Sequence, residues 1–206
     1  VDARWSGEER HCRRVAKICD LERRFPLYEL QRQGQSAWMD NIRRGLLDSG
    51  QFRQLVRDGI TGVTSNPTIL EKAVTGSEDY REAVLRLARQ GLSPREIAIR
   101  LWIDDIRDAA DQLRPIYELT EGVDGYASIE VDAELARNTE GTLAEARRLW
   151  RELDRPNVMV KVPATPEGIP AIRQLIAEGI NVNITLLFSQ QRYEEGMEAY
   201  LRGLEE

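Results

Sequence analysis

Five short apolar runs, ending near residues 40, 66, 130, 161 and 185, are each followed by a segment of helical character. Regular alternation of this kind demands βα units and a parallel sheet, because parallel neighbours need a crossover and a helix supplies it. The clearest run is Asn157-Val158-Met159-Val160-Lys161-Val162-Pro163-Ala164-Thr165. It is β-branched and barely alternates, as expected of a strand covered on both faces. Pro163 has no N–H to give a ladder, so the strand is expected to end about there. The other runs are 36–40, 59–67, 125–131 and 181–186. Helices are expected over 43–57 with a cap at Asp48 or Ser49, at 77–90 and 93–113, over 138–153, from 165 to about 178, and from Ser189 onward.

Two architectures use such units. A (β/α)₈ barrel of the TIM type takes about 250 residues, so five units over residues 27–206 leave it incomplete. A flavodoxin-like open sheet would want a Gly-rich phosphate turn after an early strand, and no G-x-G-x-x-G occurs. The incomplete barrel is preferred. Residues 1–26, dense in Arg and Glu, read as a leader outside that fold, with Val15, Ile18 and Phe25 on a weak amphipathic helix. The Val at position 1 and the helical character at the last residue point to a piece of a longer protein.

The formal net charge of −6 argues against a nucleic-acid partner. No apolar run approaches the roughly 18 residues that span a membrane, so no membrane partner is expected. Cys12 and Cys19 are the only cysteines. Two make no disulfide framework, which favours a reducing, cytoplasmic setting. With His11 they match no common metal-site spacing, and no metal is expected.

Chemistry concentrates at the strand ends. Side chains alternate along a strand, so Trp38 shares a face with Asp40, Thr64 with Asn66, Ser128 with Glu130 and Asn183 with Thr185. Lys161 is opposite in parity to Val158, Val160 and Val162. Barrels place their active sites at the carboxyl ends of strands and otherwise fill the interior with branched apolar groups. Polar residues at five such ends therefore point to a site. Burial disfavours the charged form of an amine, and a neutral amine attacks a carbonyl to form a Schiff base. Each residue also has a plain structural role open to it. Lys161 could pair with Glu130, Asp40 with an arginine at the mouth, Asn66 could begin a turn before Pro67, and Thr185 could pack in its strand.

Gly34-Gln35-Ser36-Ala37-Trp38-Met39-Asp40-Asn41, Gly62-Val63-Thr64-Ser65-Asn66-Pro67-Thr68, Asp124-Gly125-Tyr126-Ala127-Ser128-Ile129-Glu130-Val131, Val158-Met159-Val160-Lys161-Val162-Pro163-Ala164-Thr165 and Gly179-Ile180-Asn181-Val182-Asn183-Ile184-Thr185-Leu186-Leu187-Phe188-Ser189 together resemble transaldolase, in family order and spacing. The resemblance covers about residues 27–206 and is nearest to the longer bacterial branch, some of whose members are fused to a glucose-6-phosphate isomerase domain. It implies transfer of a dihydroxyacetone unit from a ketose phosphate (sedoheptulose 7-phosphate or fructose 6-phosphate) to an aldose phosphate (glyceraldehyde 3-phosphate or erythrose 4-phosphate) in the pentose phosphate pathway, with no cofactor. Lys161 then matches the Schiff-base lysine. Glu130 matches the carboxylate working through a water, and Asp40 the carboxylate that exchanges a proton with the substrate hydroxyl at the breaking bond. Thr64, Asn66, Asn183 and Thr185 match positions that orient the dihydroxyacetone and the water. The family's last three strands, with the serine and arginines that hold the substrate phosphate, have no counterpart here.

Two other readings stay open. A fructose-6-phosphate aldolase-like enzyme of the same superfamily would cleave without transfer, but typically has glutamine where this chain has Glu130. An inactive truncated barrel is the third.

Overall fold

The apolar runs become five strands, β1 (Trp38–Met39), β2 (Gly62–Thr64), β3 (Tyr126–Glu130), β4 (Val158–Pro163) and β5 (Val182–Thr185). They are seen in a computed structural model that describes residues 26–206 together with Arg13 and Lys17. The expected leader over residues 1–26, its amphipathic helix, and His11, Cys12 and Cys19 otherwise lie outside the described residues. Every pairing is parallel, and strand order follows chain order from β1 to β5. A doubly wound open sheet reverses its order partway along; this one never does. It is an incomplete (β/α) barrel, with β1 and β5 as its two edges among the described residues. Every residue of β5 is only half-buried, as an edge strand would be.

The outer face of the sheet holds the core. Val63, Ala127, Ile129, Val158, Val160 and Val162 are fully buried against the covering helices. Each such valine or isoleucine contributes roughly 1.5–3 kcal/mol relative to an exposed one. Parity then turns Thr64, Ser128, Met159 and Lys161 to the opposite, interior face. Between β1 and β2, a Cβ on Gly62 would lie 2.3 Å from the Trp38 indole. Only glycine lets that ring lie across β2, and Trp38 is its Cα partner in the ladder.

Helices α1 (Pro26–Arg32), α2 (Arg44–Asp48), α3 (Gln51–Arg57), α4 (Pro67–Gly76), α5 (Arg81–Arg89), α6 (Pro94–Leu119), α7 (Thr139–Leu153), α8 (Gly168–Ala177) and α9 (Gln190–Glu205) complete the fold. None of the helices among the described residues is long and apolar enough to cross a membrane. Several boundaries differ from the sequence reading. The single helix expected over 43–57 is two, broken where Gly50 takes φ 78°. Pro67 does more than stop β2. It opens α4, with Asn66 as cap accepting from the Ile69 N–H at 3.0 Å, a proline-at-N1 signal that the strand-ending role obscured. Helix α6 starts as expected, on a Ser93/Glu96 capping box, but runs through Pro115 to Leu119. Leu113 is fully buried and Ile116 packs on the same core, so apolar burial outweighs the hydrogen bond that proline removes. Helix α8 begins at Gly168 rather than 165.

One buried polar cluster joins α2, α6 and the short turn before α5. Arg44 donates to Asp105 Oδ1 at 2.9 and 2.7 Å, and Tyr80 donates to Asp105 Oδ2 at 2.7 Å. The Tyr80 oxygen in turn accepts the Arg44 backbone N–H at 2.8 Å. Burial and the nearby carboxylate push the Tyr80 hydroxyl well above its usual range. The cluster fixes the chain four residues after Asp40.

Candidate active site

Lys161 stands in register with Glu130 on β3 and Asn183 on β5, so three polar groups form one row across adjacent strands. The Lys161 Nζ lies 3.6 Å from Glu130 Oε2, with side chains 15% and 19% exposed. Little water screens such a pair. Burial pushes the Glu130 carboxyl up from its ordinary value. The Lys161 charge opposes that shift, and the Asp40 charge adds to it.

Beneath this row, Asn183 reaches over β4 and donates from Nδ2 to Ser128 Oγ at 3.1 Å. Ser128 is fully buried and pairs in register with Thr64. The Thr64 Oγ1 is buried and has no hydrogen-bond partner among the described residues. A buried hydroxyl in that state costs free energy until something accepts or donates to it.

The remaining expected residues sit at the rim. Asp40 directly follows β1 and is exposed; its charge reaches Glu130, but it makes no hydrogen bond or ion pair with Glu130 or Lys161 among the described residues. Asn66 spends its side-chain oxygen on the cap of α4, the turn role that the sequence left open, while its Nδ2 keeps both donors. Thr185 is half-buried in the row of Pro163, its Cα partner, two residues beyond Asn183, and its carbonyl accepts from the Ala164 N–H at 2.8 Å. Thr165 pins the turn after β4, donating to the Ala136 carbonyl at 2.6 Å and accepting from Gly168 N–H at 2.9 Å.

Two features escaped sequence reasoning. Ser128 was visible as sharing parity with Glu130, but its bond to Asn183 spans an intervening strand and has no local signal. Leu186, immediately after Thr185, has φ 64°, a conformation that is strained for a branched residue. Glycine or asparagine would have announced it; leucine does not.

Chemically, the row offers an amine, a carboxyl held ready to carry a proton, and amide and hydroxyl donors placed for a polyhydroxylated ligand. Among the described residues, no group of three or more His, Cys, Asp or Glu side chains is arranged to hold a metal ion.

A model of the transaldolase/fructose-6-phosphate aldolase family matches residues 37–204. Transaldolase of Thermobifida fusca is 50% identical over 182 residues, covering 88% of this chain and 50% of that protein. Transaldolase of Acidothermus cellulolyticus is 49% identical over 181 residues, covering 87% and 49%. Transaldolase 2 of Nostoc punctiforme is 48% identical over 180 residues, covering 87% and 47%. The chain spans about half the length of the curated relatives it matches.

Proposed function

Because the chain belongs to the transaldolase/fructose-6-phosphate aldolase family, we propose that its reaction is transaldol transfer, with an imine on Lys161 carrying a dihydroxyacetone unit from a ketose phosphate to an aldose phosphate. One observation carries this reading: Lys161 and Glu130 stand in register, largely buried, 3.6 Å apart.

The amine of Lys161 attacks the ketose carbonyl at C2, forming a C–N bond. Glu130, through a water, gives a proton to the departing hydroxyl, and loss of water leaves the imine. Asp40 takes the proton of the C4 hydroxyl as the C3–C4 bond breaks. The bonding pair moves into the protonated imine, an aldose leaves, and an enamine remains on Lys161. The acceptor aldehyde then takes that electron pair, and Asp40 returns the proton. Water adds to the new imine with Glu130 as base, releasing the product and the free amine. Asn183, Thr64, Asn66 and Thr185 hold the hydroxyls of the three-carbon unit. The free Thr64 hydroxyl and the Asn66 Nδ2 supply what such a ligand needs. A carboxylate at position 130 favours transfer over simple aldol cleavage, and the relatives at about half identity carry the name transaldolase. Only two cysteines suit a cytoplasmic setting.

Borohydride reduction in the presence of fructose 6-phosphate tests the assignment. The peptide bearing Lys161 should gain the mass of a reduced dihydroxyacetone adduct. Stable labelling of another lysine instead would overturn it.

A further inference from the structure

A cavity of about 420 Å³ lies beside Asp40, between the segment that follows β1 and helix α4, and its polar lining is Asp40, Asn41, Arg43, Lys72 and Ser77. That volume is within the range of small-molecule sites. Two cations against one carboxylate make the lining net positive, by one charge, in a chain whose net charge is −6.

The two cations are also unspent. Several arginines on the described helices find a carboxylate three or four residues away, as in Arg81–Glu78, Arg114–Glu118, Arg148–Glu152 and Arg202–Glu198. Lys72 has Thr68, Ile69, Thr75 and Gly76 at those spacings on α4, none of them acidic. Arg43 precedes α2 in an extended conformation, φ −154°, so Asp40 at i−3 is not stacked on it as it would be in a helix. Neither side chain has a hydrogen bond or ion pair among the described residues. Asn41 likewise keeps its amide donors. The Ser77 oxygen accepts from the Asp79 N–H at 3.3 Å, which leaves its own O–H to donate.

We propose that this cavity is a phosphate-binding subsite, in which a phosphate group sits between Arg43 and Lys72 beside Asp40. A guanidinium offers such an anion a planar pair of donors, and an ammonium adds a point charge. Asn41 and Ser77 complete a donor set suited to several phosphate oxygens at once. The phosphate could arrive as the free ion or on a phosphorylated sugar, and the chemistry of recognition is the same. That it adjoins the group acting on the breaking bond rests on the reaction proposed above. Phosphate binding by the cavity does not.

Calorimetric titration of the full-length protein with inorganic phosphate tests the subsite, comparing wild type with Arg43→Gln, Lys72→Gln and the double variant. Both side-chain changes are at exposed positions, and all three variants should keep the thermal stability of wild type. Each single change should weaken phosphate binding roughly 3- to 10-fold, as for a partly exposed charge-assisted contact, and the double variant more. Arg53→Gln, which removes an exposed and equally unpaired cation from α3, should change nothing. A raised KM for fructose 6-phosphate in the double variant would assign the subsite to the sugar's phosphate. An unchanged KM with lost phosphate binding would assign it to the free ion. Equal phosphate affinity in wild type and double variant overturns the proposal. Absence of any imine on Lys161, with phosphate binding still lost in the variants, would instead overturn the reaction and leave the subsite standing.

Discussion

Lys161 and Glu130 are Cα partners on neighbouring strands, and their charged groups lie 3.6 Å apart within a largely buried interior. The pairing places a carboxyl beside the amine, and burial holds the Glu130 carboxyl above its ordinary value. A carboxyl that gains and loses its proton nearer to neutral pH is better matched to acid–base work. Glu130→Gln should therefore slow both imine formation and imine hydrolysis, by roughly 10² to 10⁴. Rapid-quench borohydride trapping would measure this, and unchanged trapping rates would contradict it.

Asp40 lies three strands away from Lys161 and acts, in the proposed reaction, only at the carbon–carbon bond. Asp40→Asn should spare the rate of imine formation and lower turnover by a factor in the same range, roughly 10² to 10⁴. Imine should accumulate in this variant and not in Glu130→Gln. Equal accumulation in both would remove the division of labour.

The Arg44–Asp105 pair is buried, with side chains 19% and 4% exposed, and Asp105 also accepts from Tyr80. Asp105→Ala leaves the Arg44 charge and the Tyr80 hydroxyl without their acceptor. The expected loss is roughly 3–5 kcal/mol of stability, as for other broken buried pairs. By contrast, Glu78→Ala breaks the Arg81–Glu78 pair, whose side chains are 72% and 84% exposed, and should cost no more than about 1 kcal/mol. Urea unfolding of the two variants would rank them, and equal midpoints would show that burial does not decide the matter.

Helices α7 and α8 are linked by Arg147, which donates to Glu178 Oε2 at 2.8 Å and to Oε1 at 2.5 Å. Those bonds, with a further one from Gln174, hold the Glu178 carboxyl down to about 2 from an ordinary 4.5. A depressed folded-state value means that the contribution is fully present above the unfolded value. It is lost as pH falls from about 4.5 towards about 2. The stability difference between wild type and Arg147→Gln should accordingly narrow over that interval. A constant difference from pH 6 to pH 2 would exclude the linkage.

Two sheet edges among the described residues and an apolar flank on α9 lead us to expect that the 206-residue chain associates. Among the described residues β1 and β5 each lack a second neighbour, and unpaired edges recruit other strands. Phe188 is 88% exposed, and Tyr193, Met197, Tyr200, Leu201 and Leu204 leave one side of α9 apolar. Residues 1–206 expressed alone should self-associate on size-exclusion chromatography. Phe188→Glu with Leu204→Lys should reduce the apparent mass. A monodisperse monomer at all concentrations would refute the expectation.

Strand identity and the polarity of the strand ends could be read from the chain alone. The run ending at Lys161 is strand-like by composition, and period-two alternation separates Lys161 from Val160 and Val162 whatever surrounds it. Local chemistry also announced the start of α6, because Ser93, Pro94 and Glu96 satisfy orphan backbone donors within one turn. Tertiary contacts decided the rest. The extension of α6 through Pro115 depends on a core that only the folded sheet supplies. Sequential strand order, which distinguishes the barrel from an open sheet, is a relation between segments that no single segment encodes. The 3.6 Å approach of Lys161 to Glu130 and the Asn183–Ser128 bond across β4 likewise depend on register. Register is set when whole apolar faces meet their helices, since a slip of one residue would turn every valine of β4 inward and Lys161 into the core.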